Sequence, residues 1–188
     1  MIAGNLEANG SPWNSRDSDL NSLLVIGLGN PILSDDGIGW RVAEEVQKAL
    51  QLGPDGNREG AEIDFDYLAL GGLSLMERMV GYSHAIVIDA IQTGLEPPGK
   101  VSIFLLEELP DYAQGRTTAV HETSLQTAIQ VGQDLGAPLP DKIDIVTIEA
   151  EVLFDFSESL TPEVEAAIPE ATRAVMNRID QWKVDQKN

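Results

Sequence analysis

Two aspartates and one histidine stand where the sequence could support chemistry. Asp36 lies in GLGNPILSDDGIG (Gly27 to Gly39), Asp89 directly follows the apolar residues AIVI of positions 85–88, and His121 sits in AVHETSL. A carboxylate straight after four apolar residues is costly to bury unless it is paired, hydrogen-bonded or bound to a cation. One imidazole and two carboxylates suit a divalent transition metal and leave coordination positions for water or substrate. Such an ion can polarise a peptide carbonyl and acidify water, allowing hydrolysis without a protein nucleophile.

Each residue also has a plainer reading. Acidic residues at a helix start cap amides and favour the macrodipole, so Ser34 or Asp35 could cap the helix whose first turn contains Asp36. Neighbouring helical residues point about 100° apart, so Asp35 and Asp36 are not expected to share one role. Asp89 could cap the turn that follows it, and a lone histidine is more often structural than catalytic. The candidates are 53 and 32 residues apart and form no local motif. His84, the other histidine, precedes its strand at the end opposite Asp89 and is expected at the surface.

The elements that must position these residues alternate along the chain. Leu23 to Leu28, Ala85 to Ala90, Val101 to Leu106 and Ile143 to Ile148 are short apolar runs expected as strands. Ile63 to Leu68 alternates apolar and acidic residues, as a strand nearer a sheet edge would. Helical spacing appears in Ile38 to Leu50, Leu73 to Val80 and Thr123 to Leu135. A last helix is expected over Thr161 to Trp182, begun by a Thr-Pro pair and Glu163. The pattern predicts a three-layer α/β/α sandwich with a twisted, mostly parallel five-stranded sheet. In such a sheet ligands bind at the carboxyl ends of the strands, and Asp36, Asp89 and His121 are all delivered there.

Composition narrows the class. The 31 acidic and 12 basic residues of this 188-residue chain give a net charge of -19, a field that opposes nucleic acid and anionic membrane surfaces. Without cysteine, thiolate metal sites, disulfides and a cysteine nucleophile are excluded. Residues 1–22, rich in Asn, Ser, Asp and Gly, read as a flexible leader with no signal-peptide or anchor pattern, and residues 23–188 as a single domain; a cytoplasmic location is expected. A dinucleotide-binding reading of Gly27 to Gly39 is disfavoured. Ile32 stands where the fingerprint needs its third glycine, and paired carboxylates would oppose a pyrophosphate.

On these residues the chain resembles the hydrogenase maturation endopeptidases, over about Leu23 to Trp182. The resemblance rests on GLGNPILSDDGIG between strand and helix, the strand-ending aspartate of VIDA and the histidine of AVHETSL; the TPEVEAAI helix start adds to it. It implies a peptidase that removes the C-terminal extension of a nickel-iron hydrogenase large-subunit precursor. By similarity Asp36, Asp89 and His121 would be both catalytic residues and metal ligands. The divalent metal would be nickel already installed in that precursor, the protein partner. Many relatives carry an aspartate where Leu70 precedes Gly71 and Gly72, which bears on substrate class more than on fold. The alternatives are a related processing peptidase with another protein substrate and a non-catalytic metal-checking binder.

Overall fold

The computed structural model describes residues 22–51, 62–69, 71–109, 125–151, 153 and 155–186. His121, Leu70 and residues 1–21 lie outside the described residues. Five strands form one sheet: β1 (Ser22–Leu28), β2 (Glu62–Leu68), β3 (His84–Ile91), β4 (Val101–Leu105) and β5 (Lys142–Glu149). Their order across the sheet is β2-β1-β3-β5-β4. The first four in that order run parallel, and β4 lies antiparallel to β5. The alternating strand β2 occupies an edge, as its acidic positions predict.

Strand periodicity sends successive side chains to opposite faces, and both faces are covered. Leu23, Val25, Ile86, Ile88, Val146 and Ile148 pack with α1 (Ile38–Gln51) and α5 (Ile168–Asp185), which contribute Ile38, Val42, Val46, Val175, Ile179 and Trp182. Leu24, Ile26, Ala85, Val87, Ile143 and Ile145 meet Leu75 and Met76 of α2 (Gly72–Arg78) and Ala128 and Ile129 of α3 (Leu125–Asp134). The result is the expected three-layer α/β/α sandwich. No helix among the described residues is long and apolar enough to cross a membrane.

The structure corrects two expectations. The closing helix is divided into α4 (Pro162–Ala166) and α5. Pro169, in the first turn of α5, lacks the amide that a continuous helix would need and would crowd the carbonyl four residues back. His84 is buried, not at the surface: its Nε2 lies 2.8 Å from Oδ2 of the equally buried Asp144. Arg178 of α5 approaches the other Asp144 oxygen at 3.5 Å. Both side chains are shielded from water, and a carboxylate so buried requires charged or hydrogen-bonding partners.

Candidate active site

Close backbone approach builds the site at the carboxyl ends of β1 and β3. The Gly27 to Gly39 segment leaves β1, turns through a 3-10 turn at Ser34–Gly37 and enters α1. A Cβ on Gly39 would collide with the carbonyl oxygens of Leu28 and Ile88, so glycine lets the start of α1 lie directly against both strands. Gly29, at φ 120°, faces the Asp36 carbonyl with no room for a side chain. These contacts bring the turn carrying Asp36 back over the end of its own strand.

Asp36 and Asp89 are both buried. The Asn30 amide donates to Asp36 Oδ2 at 2.6 Å. Neither Asp89 oxygen has a hydrogen-bond partner of ordinary geometry among the described residues. Burial raises the Asp89 carboxyl to about 8, the Asp36 charge adds to the rise, and the Ala90 amide partly opposes it. Two buried carboxyl groups that sense each other are unfavourable as neighbouring anions, and a cation between them would relieve that cost. Carboxylate oxygens are of the donor type that a divalent ion takes. No three His, Cys, Asp or Glu side chains cluster as a metal site among the described residues. The histidine named from sequence, His121, is outside them, ahead of Leu125 at the start of α3. Asp89 follows Ala85 and Val87 in the strand's alternation, so its side chain belongs to the face covered by α2 and α3.

Asp35 does something other than cap its own helix. Its Oδ1 accepts the Thr161 amide at 2.7 Å, while Oδ2 accepts the Thr161 hydroxyl at 3.0 Å and the Glu151 amide at 3.1 Å. The carboxylate beside Asp36 thus ties the acidic turn to the segment leaving β5. Ser34 likewise points to that segment, donating to Ser159 O at 3.2 Å, and the 3-10 turn has no side-chain cap.

Sequence reasoning missed Glu149, which is buried at the end of β5. It accepts the Thr93 amide at 2.7 Å, the Thr93 hydroxyl at 2.8 Å and the Gly94 amide at 2.7 Å, fixing the loop that follows Asp89. The signal was present: Glu149 closes an apolar strand, IDIVTIE, and Asp89 likewise follows an apolar run, although β3 continues two residues beyond it.

The family model for hydrogenase maturation proteases matches residues 69–178, more than half of the chain. The chain belongs to this family. The protease is therefore a peptidase, and the matched region includes Asp89 and the position of His121, while Asp36 lies before it. It is 29% identical to the hydrogenase 2 maturation protease of Escherichia coli K12 over 163 residues, covering 87% of this chain and 93% of the relative. The HupD hydrogenase expression/formation protein of Rhizobium leguminosarum bv. viciae is 27% identical over 167 residues, covering 86% and 76% respectively. Among solved structures, the hydrogenase maturating endopeptidase HybD from E. coli superposes with a TM-score of 0.61 at 28% identity, covering 85% of the protease and 93% of that chain.

Proposed function

We propose that this protease removes the C-terminal extension of a nickel-iron hydrogenase large-subunit precursor after nickel has been inserted, and that Asp36, Asp89 and His121 face the nickel the precursor brings. The observation carrying this reading is the buried carboxyl pair, in which Asp89 has two oxygens unengaged by ordinary hydrogen bonds among the described residues and a proton held up to about 8. An approaching cation favours the ionised form of Asp89, so the proton leaves as the precursor docks. Asp36 stays oriented by the Asn30 amide, and the imidazole of His121 completes a three-residue donor set by the family resemblance. When bound, the ion supplies Lewis acidity to the scissile carbonyl and to water. The chain's own residues hold the precursor's centre against the sheet edge and take up the charge.

Incubating the purified protease with nickel-loaded and nickel-free precursor tests the proposal. Shortening of the loaded form alone is expected, and Ala at Asp36, Asp89 or His121 should lower the rate by about two orders of magnitude or more. Equal cutting of both precursors would defeat nickel-gated timing. Tight binding with no shortening would identify a metal-checking binder instead.

A further inference from the structure

Among the described residues, each of the four parallel strands leads at its carboxyl end into a segment that exposes a large apolar side chain. After β1 it is Ile32, after β2 Leu73, after β3 Leu95 and after β5 Phe156; Leu95 is 68% exposed and Phe156 86%. Single exposed apolar residues are ordinary on protein surfaces. Here, among the described residues, every one of these segments presents one at the edge that carries Asp36 and Asp89.

The backbones presenting them are pinned. Ser157 N donates to Ile32 O at 3.1 Å and Ser34 N to Ser157 O at 2.7 Å, forming a parallel bridge between Leu33 and Ser157. Ile32 and Phe156 are neighbours in that register. Leu95 follows the two amides gripped by Glu149, and its own amide donates to Thr93 Oγ1 at 3.0 Å. Leu73 is in the first turn of α2. Backbone held in place before a ligand arrives loses little entropy on binding it.

Charge narrows the occupant. Exposed Glu96 adjoins Leu95, and exposed Asp155 and Glu158 flank Phe156. Of the basic residues near them, Arg41 reaches Glu158 O at 3.5 Å and has Glu44 at 3.8 Å, and exposed Lys100 follows Glu96 by four residues, so acids outnumber bases along these loops. Apolar contacts interleaved with acids match a segment in which bulky apolar and basic side chains are neighbours.

We propose that Ile32, Leu73, Leu95 and Phe156 form the docking rim for the protein substrate, taking bulky apolar side chains from an extended polypeptide segment whose neighbouring residues are basic. The proposal rests on the reading of this edge as the site of precursor cleavage. As a peptidase, the protein must admit a polypeptide to its site, and the rim borders the candidate acids on the loops that leave the strands.

The test is steady-state cleavage of nickel-loaded precursor by Ile32→Ser, Leu73→Ser, Leu95→Ser and Phe156→Ser, with unfolding midpoints measured alongside. These exposed side chains contribute little to the core, so the midpoints should match the parent. For each variant KM is expected to rise about 3- to 10-fold with kcat within about twofold. Phe156→Leu should recover most of the loss. Leu135→Ser and Val184→Ser, exposed in the segments after α3 and at the end of α5, should keep parental kinetics. Parental KM in the rim variants, or equal losses in the two controls, would overturn the rim alone. A precursor left uncut by the parental chain rejects the functional reading and the rim with it.

Discussion

Asp35 and Thr161, 126 residues apart in the chain, are joined by two hydrogen bonds, from the threonine amide at 2.7 Å and its hydroxyl at 3.0 Å. Asp35 also accepts the Glu151 amide, so each of its oxygens receives a backbone N–H. Asparagine has nearly the same shape but would present an NH2 group to one of those donors. Asp35→Asn is therefore expected to cost about 1–3 kcal/mol, whereas Thr161→Val, which loses the hydroxyl alone, should cost about 1 kcal/mol. Urea unfolding checks this ranking: the midpoint should fall without a change in slope.

The Asp89 carboxyl gives stability a defined pH dependence. Its ordinary value is 3.8, and burial with the Asp36 charge raises it to about 8 in the folded chain. Below roughly pH 4 both folded and unfolded states keep the proton, and the group does not favour unfolding. Between there and about pH 8 the unfolded chain releases it while the folded chain retains it, so stability is lost across that window. Asp89→Asn removes this titration. The metal-free variant should match the parent near pH 4 and become progressively more stable than it toward pH 8, by differential scanning calorimetry. A constant difference across that range would contradict the burial argument.

His84, Asp144 and Arg178 form a polar cluster at the amino end of the sheet, away from the candidate acids. His84→Leu leaves Asp144 buried with the 3.5 Å Arg178 contact. A loss of about 3–5 kcal/mol is expected, because a buried carboxylate deprived of a partner keeps its desolvation cost. Cleavage by the surviving folded protein, measured well below its unfolding midpoint, should retain kcat within about twofold.

Gly39→Ala tests the close approach of α1 to the sheet. The added Cβ meets two backbone oxygens, Leu28 O and Ile88 O, which cannot swing aside as a side-chain tip can. A destabilisation of about 1–3 kcal/mol or more is expected from overpacking. Because the displaced helix follows the Asp36 turn directly, kcat for precursor cleavage should fall as well. Unchanged stability and kcat would show that the helix start tolerates the shift.

Part of this architecture is written locally. Apolar runs such as AIVIDA and the helical spacing of Ile38 to Leu50 report which faces avoid water, and that is sufficient for a layered α/β/α sandwich. Asp36 could be assigned to the carboxyl edge because it follows a strand and Asp89 because it follows an apolar run; β3 in fact extends two residues past Asp89, and both side chains are buried, with the Asp36 charge felt at Asp89. Partner choice among buried polar groups was decided by tertiary structure. Asp35 resembled a local cap and instead holds Thr161; His84 resembled a surface residue and instead meets Asp144; Glu149 drew no notice and grips the loop after Asp89. Local periodicity records exposure along one element, whereas a buried carboxylate is satisfied by whichever donors packing brings within hydrogen-bond reach, however distant they are in the chain.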